Sequence, residues 1–227
     1  MTFDAGESRH LSRVLRLQPG DTVVATDGAG RDYTVRLETV GEAATGTVIA
    51  EAAGVPESPL AITLLQGVPK GDKMEAIVRA ATELGVTRIQ PGLCERTIVR
   101  LEPSRWRDRA RRWQRVAREA AKQSGRAVVP EVEVPRLLPE CLGGAADLAL
   151  CLWEGGGEPL GTVLRAAGTP HTATVIVGPE GGLALAEVDA ARAAGVTVVS
   201  LGPRILRTET AGPAIVAILQ SRLGDLR

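Results

Sequence analysis

From about residue 60 onward, short apolar runs alternate with segments of helical periodicity, and this alternation constrains the fold more than any other feature. Strands that are apolar along almost their whole length and are joined by helices predict a parallel sheet covered on both faces. Because ligands of such sheets bind at the carboxyl ends of the strands, the residues at those ends are candidates for function. The strands are expected at 62–66, near 89, and at 148–152, 174–177 and 196–201, and the helices near 72–84, 104–124, 160–167, 185–194 and 213–223.

The residues before this region have a different pattern. Three short strands are expected at 22–26, 32–37 and 47–52, separated by turn clusters such as DGAG at 27–30. The stretch from Gly54 to Pro59 contains two prolines and no periodicity, which predicts a linker. We therefore predict two domains, a small β-rich domain at residues 1–57 and an α/β domain at residues 58–227.

The composition, with 44% hydrophobic and 24% charged residues, is typical of a globular protein. The three cysteines show no CxxC spacing and the two histidines are far apart, which argues against a zinc site and a disulfide framework. No run of 18 apolar residues occurs, and the segment MTFDAGESRH lacks an apolar signal region. We therefore expect a cytoplasmic protein with no metal and no membrane contact.

Positive charge is concentrated in one segment, although the net charge of the chain is zero. Between Arg96 and Arg126, eleven Lys and Arg residues stand against three acidic residues. Such a segment predicts a surface for a polyanion, and a solvated helix face is the alternative. Within the helix expected at 104–124, Trp106 and Trp113 fall on the apolar side, so they are expected in the core and not in base stacking.

Two of the predicted strands end in unusual turns. The first runs into GPEGG at 178–182, and the second runs into GPRILRTET at 202–210. Three glycines in five residues let the backbone approach a ligand and present its N–H groups, which favours a nucleotide-like ligand. Neither turn has the GxGxxG or GxxxxGK[ST] pattern, so hydride transfer and phosphoryl transfer are disfavoured. Taken alone, GPEGG could also be a simple tight turn.

Six motifs, in order along nearly the whole chain, resemble the small-subunit ribosomal RNA uridine-N3 methyltransferases of the SPOUT, or trefoil-knot, superfamily. They are HLSRVLRLQPGD, PKGDKMEAIVRAATELGVTRIQP, EAAKQSGR, VIVGPEGG, LGPRILRTETA and LGDL. The resemblance implies a small PUA-like β-barrel, followed by a parallel-sheet α/β SPOUT methyltransferase domain with a C-terminal trefoil knot. It also implies S-adenosylmethionine as cofactor, a homodimer, and methylation of N3 of a uridine in the 16S rRNA of the 30S ribosomal subunit.

The resemblance assigns a cofactor pocket to the two turns and to one further strand end. In this pocket, backbone amides would read the adenine and Ile205 and Leu206 would pack on it. The last helix, from Gly212 to Leu223, would pass through a loop of the chain, with Pro213 near its first turn. The implied pocket residues are Leu152, Trp153, Glu154, Gly178, Pro179, Glu180, Gly181, Gly182, Leu201, Gly202, Pro203, Ile205, Leu206, Arg207 and Thr208.

Methylation of N3 requires loss of the weakly acidic imide proton, so the ring becomes negative beside a positively charged sulfonium. An arginine near the ring oxygens would favour that anion, and a carboxylate could accept the proton. Arg207 and Glu209, beside the implied pocket, are the catalytic candidates. Glu209 could equally fix the turn by hydrogen bonds to backbone amides, and Glu180 is expected to be structural.

A further set of residues is expected to bind RNA phosphates. Arg9, Arg13 and Arg16 have i, i+4 and i+7 spacing and would share one face of a helix, whereas His10 is expected to be structural. Ordinary surface charge is the alternative, and Gln123 could contact either RNA or a second subunit. The expected RNA-binding residues are Arg9, Arg13, Arg16, Lys70, Lys73, Arg96, Lys122, Gln123 and Arg126.

The sequence departs from the family pattern in three places, and three other functions are alternatives. The family usually has a strand before HLSRVLR, whereas only nine residues precede His10, so either an incomplete barrel or a trimmed start is expected here. Ala184 stands where Ser or Thr often caps a helix, and Pro213 replaces a small residue. The other functions are a noncatalytic RNA-binding or ribosome-assembly protein, a ribose 2'-O-methyltransferase of the same superfamily, and an α/β enzyme for another nucleotide, which would lack a phosphate motif.

Overall fold

The structure is a computed structural model that describes residues 1–227. The chain folds into two compact units, of which the first comprises Met1–Pro56 and Gly125–Val128. The second comprises Glu57–Ser124 and Val129–Arg227. No pattern in the sequence marked residues 125–128 as part of the first unit. The domain limits 1–57 and 58–227 stay a prediction.

The first unit is a three-stranded antiparallel sheet with a short helical segment. Strands β1 (Thr22–Thr26), β2 (Arg31–Thr39) and β3 (Thr45–Ala53) lie in the order β1-β2-β3. Helix α1 (Ala5–Arg9) begins where the Asp4 carboxylate accepts the N–H groups of Gly6 and Glu7. The small core of this unit consists of Leu11, Leu37 and Ala44.

The prediction that Arg9, Arg13 and Arg16 share one face of a single α-helix is wrong. α1 ends at Arg9, and a π-helical turn follows over His10–Val14, in which Leu15 N–H donates to the His10 carbonyl. A π turn adds a residue to each hydrogen-bonded ring, so the α-helical register assumed for these side chains does not continue past Arg9. Arg16 also has a φ of 55°, outside any right-handed helix. All three arginines are exposed, and Arg16 lies outside the helical turns that contain Arg9 and Arg13.

The second unit is built on the predicted parallel sheet, which is confirmed. Every pairing among its strands is parallel, and the order is β6-β5-β4-β10-β8-β11-β9, with β7 paired to β5. The two-residue strands β6, β7 and β9 are too short to show a period in the sequence. The strands are β4 (Ala61–Gly67), β5 (Val86–Leu93), β6 (Glu131–Val132), β7 (Arg136–Leu137), β8 (Leu148–Leu152), β9 (Glu158–Pro159), β10 (Thr172–Val177) and β11 (Thr197–Ser200).

Helices cover both faces of this sheet. They are α2 (Lys73–Glu83), α3 (Pro103–Ser124), α4 (Leu160–Ala166), α5 (Leu185–Ala193) and α6 (Thr208–Leu223), with a 3-10 turn at Leu138–Cys141. Successive residues of a strand point to opposite faces of the sheet and pack into different cores. Leu64 and Val175 belong to the larger cluster, whereas Leu65 and Ile176 belong to the smaller one. The sheet is therefore buried on both sides, as its near-continuous apolar runs predict.

The cores contain two tryptophans that were predicted to be buried, and two cysteines. Trp106 and Trp113 are buried in the larger cluster, which confirms their predicted core position. Burial raises the pKa of the Cys94 and Cys151 thiols to about 12, so both remain protonated at neutral pH. Their reactivity as nucleophiles is correspondingly low.

No helix combines the length and the apolar composition that a membrane crossing would need.

Two predicted helix starts need correction. α6 begins at Thr208, and not near residue 213, because the Arg207 carbonyl accepts the N–H groups of Thr210 and Ala211. Pro213 therefore lies inside the helix, beyond its first turn. At the start of α2, the Asp72 side chain makes no capping hydrogen bond, so the predicted capping box does not form.

Candidate ligand-binding site

A cavity of about 750 Å³ lies at the carboxyl ends of β8, β10 and β11 in the second unit. Leu152, Val177 and Ser200 bring these three strand ends to its wall. The two turns singled out in the sequence follow β10 and β11, so the parallel arrangement places both against one space. We call residues 178–182 the glycine turn and residues 201–207 the second turn.

The structure brings together all fifteen residues of the implied pocket and both catalytic candidates, Arg207 and Glu209. Of the expected RNA-binding residues, Lys70 and Lys73 also line this cavity. The prediction omitted five residues that line the cavity. Val177, Val199 and Ser200 could have been identified because they lie at strand ends, whereas Ala211 was missed because the start of α6 was placed too late. The omitted lining residues are Val177, Val199, Ser200, Arg204 and Ala211.

The glycine turn has a backbone that side chains would obstruct. Gly182 has a φ of 70°, in the left-handed region, and its N–H donates to the Pro179 carbonyl over 2.9 Å. A Cβ atom on Gly182 would lie 2.1 Å from Oε1 of Glu154. Glycine at this position therefore allows both the turn and the close approach of a carboxylate to the backbone.

A buried chain of hydrogen bonds joins the glycine turn to α6 and β4. The Thr208 hydroxyl donates to the Gly178 carbonyl over 2.7 Å, and Nε2 of Gln66 donates to that hydroxyl over 2.9 Å. Nε2 of Gln66 also donates to the Gly67 carbonyl over 3.1 Å. Because Gln66 and Thr208 are both buried, these bonds fix the start of α6 relative to the turn.

Gln66 was missed by the sequence interpretation. The available signal was a buried amide at the end of an apolar strand, LLQG, where an apolar residue would otherwise be expected. Its Oε1 atom is buried without a hydrogen-bond donor, and a Cβ on Gly212 would lie 2.9 Å from it. The small residue at 212 thus leaves room for the amide.

Lys73 lies between two carboxylates at the edge of the cavity. Its Nζ is 3.2 Å from Oε1 of Glu180 and 3.2 Å from Oε2 of Glu209. The backbone N–H of Lys70 also donates to the Glu180 carboxylate, over 3.2 Å. A lysine expected to bind RNA phosphate is therefore paired with the glycine turn and with α6.

Lys73 and Glu209 are both charged at neutral pH. A hydrogen bond from its own backbone amide, followed by the interaction with Lys73, lowers the pKa of the Glu209 carboxyl below its ordinary value. The hydrogen bond to Glu180 is the main reason that the pKa of Lys73 is raised. Glu209 is consequently a carboxylate, and its low pKa makes it a weak base.

Residues outside the cavity support the glycine turn from its other side. Nη1 of Arg96, another expected RNA contact, donates to the Gly181 carbonyl over 2.9 Å. Glu187 accepts the N–H of Ala184 over 2.8 Å and the N–H of Glu95 over 2.9 Å. Since alanine has no side-chain acceptor, Glu187 supplies the polar contact at the start of α5.

The mouth of the cavity combines apolar and cationic side chains. Ile205 is 82% exposed, whereas Leu206 is partly buried against the larger core. Arg207 is exposed, and Trp153, which lines the cavity, lies 5.6 Å from the guanidinium of Arg192, a residue outside the lining. The cavity therefore offers backbone amides, apolar walls and charges of both signs to a ligand.

The remaining expected RNA-binding residues are not among those that line this cavity. Arg9, Arg13, Arg16 and Arg126 belong to the first unit. Lys122 and Gln123 lie exposed in the last turn of α3, in the second unit. No group of three or more His, Cys, Asp or Glu side chains has an arrangement that could hold a metal ion.

Two family models match the chain. Residues 56–220 match the RNA methyltransferase domain, and residues 3–47 match the RNA methyltransferase PUA domain. Among relatives named ribosomal RNA small subunit methyltransferase E, the protein of Synechocystis sp. is 37% identical over 98% of this chain and 73% of its own length. The protein of Bacillus subtilis is 30% identical over 90% of this chain and 83% of its own length.

Solved structures give the same similarity. Ribosomal RNA small subunit methyltransferase E from Neisseria gonorrhoeae, bound to S-adenosyl methionine, is 36% identical with a TM-score of 0.90, covering 100% of this chain and 93% of that one. A methyltransferase from Legionella pneumophila, in complex with the cofactor SAM, is 29% identical with a TM-score of 0.92, over the same shares of the two chains.

Proposed function

Because this chain belongs to the RNA methyltransferase family that includes ribosomal RNA small subunit methyltransferase E, we propose that it methylates N3 of one uridine in 16S rRNA, with S-adenosylmethionine as methyl donor. The family and the parallel-sheet α/β fold with an N-terminal PUA domain, both predicted from the sequence, are confirmed. The single observation that carries the proposed reaction is one cavity in which two glycine-bearing turns meet Arg207 and Glu209.

The cavity fits the proposed cofactor in size and chemistry. Its volume of about 750 Å³ is within the usual range for small-molecule sites. The N–H groups of the glycine turn and of the second turn can donate to adenine and to the carboxylate of the cofactor. Leu152 and Leu206 offer apolar surface, and the Glu154 carboxylate can accept from hydroxyl or ammonium groups. When bound, S-adenosylmethionine supplies an electrophilic methyl group on a positively charged sulfur.

Arg207 is the residue that we propose for stabilising the uridine ring as it loses its imide proton. Its guanidinium is exposed at the cavity and carries a delocalised positive charge. Placed beside the ring oxygens, it would lower the free energy of the negative ring and so promote attack by N3 on the methyl group. The imide proton would pass to solvent water, and the methyl–sulfur bond would break as the N3–methyl bond forms, so the step needs no covalent bond between the protein and either reactant.

For Glu209, the structure favours the positioning role over that of proton acceptor. Its carboxylate is held by Lys73 and by its own amide, and the lowered pKa makes it a weak base. We propose that Glu209 holds Lys73 and the start of α6 in place, and that it acts on the imide proton only through the local electrostatic field. A Glu209→Gln variant would then retain part of its activity with an unchanged pH profile.

We propose that both predicted domains contact the RNA substrate. Residues 1–57 would bind rRNA through Arg9, Arg13 and Arg16, while residues 58–227 would bind the cofactor and the target base. Lys122, Gln123 and Arg126 would add contacts, whereas Lys70, Lys73 and Arg96 would act chiefly by holding the cavity. The proposal includes a homodimer, a C-terminal knot, the cytoplasm as location and the 30S subunit as partner.

The test is transfer of labelled methyl from S-adenosylmethionine to naked 16S rRNA and to 30S particles, followed by nucleoside digestion. We expect N3-methyluridine, and Arg207→Ala should lower the rate by about 100-fold or more. Arg204→Ala, a charge removal in the same turn, is the matched control and should change the rate much less. Labelled ribose 2'-O-methyl nucleosides would refute the proposed position of methylation. Failure of S-adenosylmethionine to raise the melting temperature would favour a noncatalytic RNA-binding protein.

A further inference from the structure

Helix α3 carries a row of cations on its solvent side. Successive residues of an α-helix are about 100° apart, so the side chains at positions 107, 111, 115, 118 and 122 fall within an arc of about 80° around the helix axis. With a rise of about 1.5 Å per residue, the row extends for about 22 Å. All of its members are exposed. We call this row the basic stripe, and it consists of Arg107, Arg111, Arg115, Arg118 and Lys122.

The stripe has a fixed orientation because the opposite side of α3 is anchored in the core. Trp106 and Trp113 are 5% and 2% exposed, and the alanines between and after them are buried as well. Rotation of the helix would expose these side chains to water. The direction in which the stripe faces is therefore set by the packing of the second unit.

The position of α3 also relates the stripe to the cavity. Nε of Arg112, next in sequence to Arg111, is 2.7 Å from Oε1 of Glu75 in the first turn of α2. That same turn carries Lys73, which lines the cavity. The middle of α3 is thus fixed beside the element that forms one edge of the cavity.

Helix stability does not explain the stripe. Arg107 and Arg111, and likewise Arg111 and Arg115, are like charges at i, i+4 spacing, which destabilises an isolated helix. Among the acidic residues of α3, Asp108 forms an ion pair with Arg111 of the stripe. Asp108 itself lies just outside the arc of the stripe. The charge that stabilises the contact between α3 and α2 comes from Arg112, which lies outside the stripe.

We propose that the basic stripe binds the phosphate backbone of the rRNA substrate, so that the second unit holds RNA outside the cavity. This proposal rests on the proposed function for the identity of the polyanion. Guanidinium groups bind phosphate through paired N–H donors, and a row of them suits a chain of phosphates better than a single anion. Backbone contacts of this kind would hold and orient the RNA without reading its sequence.

The experiment compares two double variants of the same helix. Arg115→Gln with Arg118→Gln removes two charges from the stripe, and Arg105→Gln with Arg109→Gln removes two charges of α3 that lie outside the stripe. Each is titrated with a 16S rRNA fragment at several salt concentrations, and circular dichroism checks that the helix remains folded. Loss of two phosphate contacts should reduce the slope of log K against log salt by about 1.4, using the single-strand value of about 0.7 per contact.

We expect the stripe variant to bind RNA about tenfold more weakly at low salt, with the control variant close to wild type. Equal slopes and affinities for the two variants would overturn the proposal, and so would a wild-type chain that does not bind the fragment. Methyl transfer is measured separately. A wild type that binds RNA with the predicted slope but transfers no methyl group would refute the proposed function and leave the stripe proposal standing.

Discussion

Replacement of Thr208 by valine should uncouple the glycine turn from α6 while preserving the shape of the side chain. The hydroxyl of Thr208 accepts from Gln66 over 2.9 Å and donates to the Gly178 carbonyl over 2.7 Å. Valine has a methyl group in place of that hydroxyl, so both hydrogen bonds are lost in a buried setting. Nε2 of Gln66 keeps one acceptor, the carbonyl of Gly67.

The expected cost follows from the groups left without partners. A buried polar group that loses its hydrogen bond costs about 1–3 kcal/mol. Two affected groups, one of them partly compensated, give a loss of about 2–4 kcal/mol in the free energy of unfolding of the second unit. For a unit of this size, 1 kcal/mol corresponds to roughly 2–4 °C, so the melting temperature should fall on the order of 10 °C.

The assay is thermal unfolding with and without S-adenosylmethionine, with Thr208→Ser as the matched control. Serine retains the hydroxyl and loses only a methyl group, so it should melt close to wild type. The valine variant should also bind the cofactor more weakly, because the Gly178 carbonyl is no longer held. If the valine and serine variants melt together and bind the cofactor equally, the hydrogen-bond chain does not support the turn.

Three further predictions concern charge, backbone and thiols. Lys73→Met should raise the pKa of Glu209. The stability that a lowered carboxyl pKa provides is lost as pH falls through that pKa, so the variant should melt lower at neutral pH and its melting temperature should fall less on acidification. Gly182→Ala should weaken cofactor binding at least tenfold by calorimetry, since alanine disfavours a φ of 70°, whereas Gly143→Ala, in open space, should not. A thiol reagent should label Cys141 first in the native protein and the two buried thiols only on unfolding, as peptide mass analysis would show.

The sequence predicted the features that depend on local pattern. The parallel sheet followed from apolar runs between helical segments, and the two glycine turns met at one cavity because parallel strands end at the same edge of a sheet. The buried face of α3 followed from the spacing of Trp106 and Trp113. In each case, the local residues and the overall fold favour the same structure.

Features that depend on tertiary contacts were missed. The start of α6 was placed too late, because Pro213 suggested a first turn and the polar RTET segment has no apolar stripe. The π turn after Arg9, which places Leu11 in the core of the first unit, was not predicted because no periodicity in the sequence marks it. The role of Gln66 required knowing that Thr208 lies beside it, although the two are 142 positions apart in the chain.

The exposure of Ile205 has a thermodynamic consequence for ligand affinity. At 82% exposed, this side chain contributes almost none of its hydrophobic free energy to folding. Covering an isoleucine completely is worth about 1.5–3 kcal/mol, which corresponds to a factor of roughly 10 to 150 in Kd. Whatever closes over the second turn gains that free energy, so this position can tune affinity without a matching change in the stability of the folded chain.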